Sequence, residues 1–399
     1  MQKYIIVTGG ELRNKGAQAM TFITVDQISK KFPECKVVLI SSQDYKRSEN
    51  EKNNLKFDII PSMKVLINII VASPFQKVLK KNCIYKKYID ILKNTEALID
   101  ISGYALGSNW GANYSIGIIF RVYIAKHFKI PVYFMPQSFG PFDFRGKASL
   151  LANYMIKRYM PYVNIIYARE SEGKRLLQET YGLNNVKKAY DLVLQNKGLE
   201  MSNIYHNIPT LFDMEISKGS VAVIPNSKNN KYGIESEVLA LYNDIIEFLL
   251  NNNRKVYLIY HSIEDFDICQ KIKVNYFFNN ENVVVVDTEL SCLDFDNIVN
   301  RFDFIIGSRY HSIVHSYKKA VPAIILGWAV KYRELAECFN QDKYCFDIKD
   351  ISMHGNILSS VSKMCEFSMK ESSIIATKLS EIQKENVYDI IRLKSEGVK

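Results

Sequence analysis

The stretch Phe304–Lys331, FIIGSRYHSIVHSYKKAVPAIILGWAVK, sets the pattern by which the rest of the chain is read. An apolar run ends at Gly307. A polar group and a helical stretch follow, then Pro322, a second apolar run and the loop that begins at Gly327-Trp328. Strand, turn, helix and strand in that order make a βαβ unit, the building block of parallel sheets. The turn brings Gly307, Ser308, Arg309 and His311 together at a strand end. A glycine there lets the backbone approach a ligand, and the helix start offers free N–H groups and a positive dipole end to an anion. Arg309 adds a planar fork for carboxylate or phosphate, and His311 adds a titratable proton carrier. Together these groups suit a small, doubly anionic ligand handled by acid/base chemistry.

The same rhythm extends in both directions. Strands are expected at Tyr4–Thr8, Lys36–Ser41, Ala97–Ser102, Pro131–Met135 and Asn164–Ala168 in the first half. In the second half they are expected at Ser220–Ile224, Lys255–Tyr260, Asn282–Asp287, Phe302–Ile306 and Ala323–Leu326. Helical patterns lie between them. They include Gly16–Lys31, Lys147–Met160 with Leu150, Leu151, Tyr154 and Met155 on one face, and Glu235–Leu250 with a broad apolar face. Strands alternating with helices twice over give an α/β class of two Rossmann-like domains facing a cleft. The boundaries read as residues 1–200, 201–369 and a C-terminal segment 370–399. The polar stretch Gln195–Lys218 carries the linker. A final helical pattern at Lys370–Lys394 follows the last strand and is placed to cross back to the first domain. Ligands of such folds sit outside the strand carboxyl ends.

A chain of 399 residues is long for a single core, which agrees with two domains. The seven cysteines are scattered and include no CxxC pair, which argues against a zinc site or a disulfide framework and for a reducing cytoplasm. No secretory pattern opens the sequence, and no apolar run reaches the roughly 20 residues of a membrane span. The net charge of +10 asks for an anionic substrate or membrane surface, or reflects a general lysine bias. The lysines are dispersed and no nucleic-acid module is visible, so nucleic acid is not expected as a partner. Met63–Lys81, MKVLINIIVASPFQKVLKK, is apolar in its first half and basic in its second. It reads either as an interfacial element making peripheral contact with the inner face of the cell membrane or as a buried helix with a solvated basic end.

Other loops fall at strand ends. TGGELRNKGAQAM (residues 8–20) offers glycines, Arg13, Asn14 and Lys15, without a GxGxxG or GxxxxGK[ST] pattern. ISGYALGSNWG (101–111) brings Ser102, Gly103, Asn109 and Trp110, whose indole suits a sugar ring. PQSFGP (136–141) brings Gln137 and Ser138, and YARES (167–171) brings Arg169. In the second half, Asn226 and His261 end strands, Asp265 and Asp267 follow, and Lys331 closes the opening stretch. His311 and His315 have the i, i+4 spacing of a helical metal pair, but no HExxH pattern or local third ligand accompanies them, so no metal is expected.

The ordered set of NKGAQAM, SGYALGSNWG, PQSFGP, ARES, GSRYHSIVHS and PAIILGW with Lys331-Tyr332 resembles the polysaccharide pyruvyl transferase family across most of the chain. The resemblance implies a GT-B-like architecture. It also implies an enzyme of exopolysaccharide or other cell-surface glycan synthesis that forms a ketal from phosphoenolpyruvate on two hydroxyls of a sugar, with no cofactor beyond that donor. The acceptor would be a glycan or a lipid-linked oligosaccharide, on the side of the first domain, with the donor on the side of the second. Arg169, Arg309 and His311 would contact the donor, His311 carrying protons or stabilising the departing phosphate. Asn14, Ser102, Gly103, Gln137, Asn226, His261, Gly307, Ser308 and Lys331 would bind substrate. Ser102–Tyr104 replaces a more glycine-rich loop, and Asp191-Leu192 stands where the family carries an Asp-Pro-type element. Two other readings share the architecture or its basic cleft: a GT-B glycosyltransferase using a nucleotide sugar, and a non-catalytic glycan-binding protein.

Overall fold

In the computed structural model, which describes residues 1–62, 83–227, 235–350 and 353–397, each half of the chain builds one parallel sheet. The first comprises β1 (Lys3–Thr8), β2 (Cys35–Ile40), β3 (Asp58–Ile60), β4 (Thr95–Asp100), β5 (Val132–Gln137), β6 (Ile165–Ala168) and β7 (Val186–Lys188), in the order β3-β2-β1-β4-β5-β6-β7. The second comprises β8 (Val221–Ile224), β9 (Val256–Ile259), β10 (Val283–Val286), β11 (Phe304–Gly307), β12 (Ala323–Gly327) and β13 (Cys345–Asp347), in the order β10-β9-β8-β11-β12-β13. Both orders reverse once beside their first strand, so each sheet has a switch point where the loops part and leave a crevice. At these points Thr8 pairs with Asp100 and Ile224 with Gly307. The ends of those four strands carry the loops singled out above.

The ten expected strands are present, shifted by one or two residues at their ends. The three not expected, β3, β7 and β13, are three-residue strands at sheet edges, too short to display a period. β4 and β5 are buried along their whole length, as strands covered by helices on both faces must be. One apolar cluster lies under the outer face of each sheet. A third, larger one is shared between the two halves and joins Ile5, Val7, Phe22 and Ile23 to Phe295, Ile313, Val314 and Tyr317. The facing domains therefore touch through a common core, with helix Lys15–Lys31 against Cys292–Ile298 and Leu192–Gln195 against Tyr310–Lys318.

Two helical expectations change. In helix Ser149–Tyr159 the packed face is Ala152 and Ile156, while Leu150, Leu151 and Tyr154 point to solvent. At the C-terminus the helix runs from His354 to Ile382, starting earlier and stopping sooner than the expected Lys370–Lys394. Its buried stripe begins at Ile357 and Val361, ahead of the residues that suggested it. It stops where Asn386 turns its Oδ1 back to accept the Tyr388 N–H at 3.0 Å. The chain beyond does cross back to the first domain. Tyr388 bonds Thr24 (2.7 Å), the Arg392 carbonyl accepts from Tyr133 (2.9 Å), and the Ser395 N–H donates to Glu96 (2.7 Å). Segment 196–220 is irregular apart from the turn Met201–Asn203 and an antiparallel bridge of Tyr205 to Leu55. Met63–Lys81 lies outside the described residues.

The returning tail fills the first domain with Val387, Tyr388, Ile391 and Leu393, all buried. Replacing Ile391 with Ala is expected to destabilise the protein by about 2–5 kcal/mol. Denaturant unfolding measures it, and an unchanged midpoint would mean the tail is not part of the core.

Candidate active site

Arg309 ends the loop after β11 and caps the helix Tyr310–Lys318 with its extended backbone. Its side chain is clamped rather than free. Nε donates to Asp265 Oδ2 (2.7 Å), and Nη2 donates to Asp265 Oδ1 and Glu264 Oε1 (2.6 Å each). Asp265 is fully buried and also accepts from the N–H groups of Ser227 and Ser262 (2.9 and 3.2 Å), which fix it in turn. Among the described residues Nη1 of Arg309 takes no hydrogen-bond partner, so a preset guanidinium edge remains available. Asn226 donates to the Ser308 carbonyl at 3.1 Å, and Ser308 turns its hydroxyl inward to Tyr242 at 2.8 Å.

Arg169, at the end of β6, is 4% exposed in its side chain and enclosed by the first domain. Nη1 meets Asp191 Oδ2 at 2.5 Å, and Nη2 donates to the Gly103 carbonyl and to Ser138 Oγ at 2.8 Å each. Its guanidinium lies 5.0 Å from the Tyr310 ring centre, across the domain boundary. Asp191, whose role the sequence left open, has three tasks. It pairs with Arg169, caps helix Leu192–Gln195 through the Val193 N–H (2.9 Å), and faces His311 Nε2 at 3.8 Å. Burial would raise its carboxyl pKa, but Arg169 and then His311 outweigh burial and hold it below the ordinary carboxylate range.

His311 sits where the halves meet. A Cβ at Gly16 would come within 2.2 Å of the imidazole, so only glycine lets the start of helix Lys15–Lys31 pass so close. Asn14 caps that helix by accepting from Gly16 at 3.0 Å, and buried Lys15 donates across the boundary to the His261 carbonyl at 2.9 Å. Burial pushes the Lys15 ammonium down to about 8. Burial also pushes the His311 imidazole down to about 3, against the pull of Asp191, and Arg169, His315 and Lys331 add to the depression. His311 is thus neutral in the unliganded protein, and Nε2 has no hydrogen-bond partner among the described residues. His315 does not join it: its Nδ1 contacts Asp296 at 2.5 Å inside the second domain.

A cavity of about 670 Å³ opens over this junction, lined by Asn14, Trp110, Asn226, His261, Arg309, His311 and Lys331 among others. The ammonium of Lys331 lies 5.0–5.9 Å from the ring centres of Tyr104, Tyr310, Trp328 and Tyr332. Arg169 lines a neighbouring cavity of about 680 Å³ instead, together with Lys188, Asp191, Tyr310 and Lys331. Tyr310 and Lys331 border both spaces. Of the other residues singled out, Gly307, Ser102, Gly103 and Gln137 line neither cavity. Gln137 is fully buried with Nε2 3.3 Å from Asp100, and Gly103 presents its carbonyl to Arg169. Asp267 pairs with Lys271 at the surface. Sequence reasoning missed that Tyr104 and Tyr310 join the neighbouring Trp328 and Tyr332 around Lys331, and that Asp265 clamps Arg309, because these partners come from distant segments.

A family model described as polysaccharide pyruvyl transferase matches residues 14–329. No curated protein matches the chain. Among solved structures, the UDP-GlcNAc 2-epimerase from Methanocaldococcus jannaschii is similar with a TM-score of 0.56 at 12% identity, over 91% of this chain and 92% of that one. MnaA of S. aureus in a UDP co-structure gives 0.55 at 10%, over 97% of both chains. Anabaena Alr3699/HepE in complex with UDP and glucose gives 0.53 at 9%, over 96% and 97%. At these identities the likeness shows the fold, the two-domain Rossmann-like arrangement of GT-B type.

Two predictions come from the junction. First, His311 is neutral where an ordinary histidine titrates. ¹⁵N NMR of the unliganded protein, assigned with His311→Gln, should show a neutral ring at pH 5. A midpoint near 6.5 would contradict the burial account. Because the folded pKa is depressed, this group's contribution to stability is complete above pH 6.5 and is lost as pH falls towards 3. Second, Asp191→Asn removes the hydrogen-bonded counter-charge of the buried Arg169, leaving Glu170 at 3.9 Å, and should cost about 3–5 kcal/mol in denaturant unfolding. The double variant Arg169→Met/Asp191→Leu should recover much of the loss.

Proposed function

This chain belongs to the polysaccharide pyruvyl transferase family, and we propose that it moves the pyruvyl group of phosphoenolpyruvate onto a sugar of a polysaccharide or its lipid-linked precursor. The product is a ketal, and phosphate is released. The observation that carries this reading is the pairing of a clamped arginine edge at Arg309 with the neutral, unpartnered imidazole of His311 in one cavity between the sheets.

A carboxylate-and-phosphate donor needs positive groups in fixed positions. Arg309 offers one edge, and the ammonium of Lys331, 5.0 Å from the Tyr310 ring centre, offers a point charge. Arg169 supplies a further positive charge 5.0 Å from the same ring centre, where it also holds Asp191 toward His311. The first acceptor hydroxyl attacks the donor's C2 while the methylene carbon takes up a proton and becomes methyl. Neutral His311 is suited to accept the hydroxyl proton and pass it on, and the imidazolium formed in between faces Asp191 through Nε2 at 3.8 Å. The second hydroxyl then attacks the same carbon, the C–O bond to phosphate breaks, and the second proton leaves with the phosphate. The reaction asks for no metal or cofactor. Trp110, exposed at the cavity edge and stacked on Tyr114, is placed to pack against the acceptor sugar.

One finding favours a second reading. Solved structures of this fold include complexes with UDP, and a nucleotide-sugar glycosyltransferase would use the same cleft. The products separate the readings. Incubation with phosphoenolpyruvate and candidate lipid-linked glycans should release inorganic phosphate and add a pyruvyl mass to the glycan. Release of a nucleoside diphosphate from a nucleotide sugar would favour the second reading, and binding without turnover would favour a glycan-binding protein.

His311→Ala should lower turnover by at least about 100-fold, with the fold intact by circular dichroism. Arg309→Lys loses the bidentate clamp and should chiefly raise the KM for phosphoenolpyruvate. Wild-type turnover in folded His311→Ala would remove the assignment.

A further inference from the structure

Two neighbouring helices of the first domain turn an apolar face to solvent. Helices Ala112–His127 and Ser149–Tyr159 follow β4 and β5 and pack side by side, their Tyr123 and Tyr159 rings 5.4 Å apart. Each leads from the carboxyl end of one parallel strand towards the start of the next, so they run parallel and begin on the cleft side of the sheet. Leu150, Leu151 and Tyr154 are 81%, 51% and 61% exposed, and Trp110 and Tyr114, stacked at 5.7 Å, are 51% exposed each. Trp110 also lines the cavity, so the face reaches the rim of the site.

The charge on these two helices has one sign. Neither helix contains an Asp or Glu, whereas Lys147 precedes the Leu150–Tyr154 stripe and Lys157 and Arg158 follow it, all exposed. The carboxylate of the loop between, Asp143, accepts from the Ser108 hydroxyl. The next helix, Ser171–Tyr181, has the usual surface instead, with Arg175 paired to Glu172 and Glu179. A helix that buries Ala152 and Ile156 and presents leucines flanked by cations matches an interfacial element, in which apolar side chains enter the headgroup boundary and cations meet anionic lipid.

We propose that Leu150, Leu151 and Tyr154, with Lys147, Lys157 and Arg158, dock the protein on an anionic bilayer surface, so that the cavity beside Trp110 opens toward an acceptor held in that membrane. Its purpose rests on the reading of the acceptor as lipid-linked. The docking itself does not depend on the donor. The full chain should co-sediment with vesicles of phosphatidylglycerol and phosphatidylcholine, and much less with phosphatidylcholine alone. The triple variant Leu150→Ser/Leu151→Ser/Tyr154→Ser should bind at least about tenfold more weakly, with unchanged thermal unfolding. The variant Lys147→Glu/Lys157→Glu/Arg158→Glu should lose the preference for anionic lipid. Phosphate release with a water-soluble acceptor should be the same in all three proteins. Its absence in the wild type would remove the proposed reaction and leave the docking result standing. Vesicle binding that is absent, or unaltered in both variants, overturns the proposal. So does a dimer in sedimentation velocity that the triple variant dissolves, which would assign the face to a second copy.

Discussion

The ion pair between Arg169 and Asp191 fixes the geometry on which the rest of the site depends. A guanidinium buried in a protein needs partners, because desolvating it otherwise costs several kcal/mol. Here Nη1 and Nη2 find theirs in the loops after β4, β5 and β7 at once, through Gly103, Ser138 and Asp191, while Nε lies 3.9 Å from Glu170 without a hydrogen bond. Three loops that leave the sheet separately are thereby tied to one side chain on β6. A buried pair of this kind adds little net stability over an apolar substitute. What it adds is position: Asp191 is aimed at His311, and Tyr310 is seated against the cation.

The second half repeats the device with the opposite outcome. Arg309 is clamped by Asp265, itself held by Ser227 and Ser262, but the clamp uses Nε and Nη2 and leaves one edge of the fork. Arg169 is held by Asp191, Gly103 and Ser138 beside the Tyr310 ring, and Arg309, next to Tyr310 in the chain, keeps Nη1 without a partner among the described residues. Because the two sheets share an apolar cluster, and because Gly16 and Lys15 of one half touch His311 and the His261 carbonyl of the other, this spacing belongs to the fold rather than to a mobile hinge.

Much of the fold was legible in the sequence, for identifiable reasons. Strands of four to six residues buried on both faces leave continuous apolar runs, and helices long enough for three turns leave a period. The edge strands β3, β7 and β13 leave neither. The stripe Leu150–Tyr154 was legible as a helix face but not as an outward one, because periodicity reports a face and not what it faces. In the site, Arg309 and His311 could be read together because they lie two residues apart. Arg169 could be named from its loop, but its burial could not, since Asp191, Gly103 and Ser138 come from three other segments. The approach of Tyr104 and Tyr310 to Lys331 and the clamp of Asp265 on Arg309 were invisible for the same reason.

The charge balance of the cavity carries the argument one step further. Arg309 is already faced by Asp265 and Glu264, and Arg169 by Asp191 and Glu170, so neither brings a full uncompensated charge to a ligand. Lys331 contributes a cation set among aromatic faces. His311 is neutral because burial and neighbouring cations disfavour its protonation, and Asp191 alone opposes them. An entering anion would change that balance in the direction of protonation, since an opposite charge within about 4–6 Å favours the charged form of a base. In the proposed reaction the donor would therefore bring the imidazole toward the pKa range where proton transfer in both directions is efficient. The unliganded site would keep it neutral and idle. The group that handles the proton would thus be tuned by the substrate it acts on, with the Arg169–Asp191 pair holding the carboxylate that receives the charge.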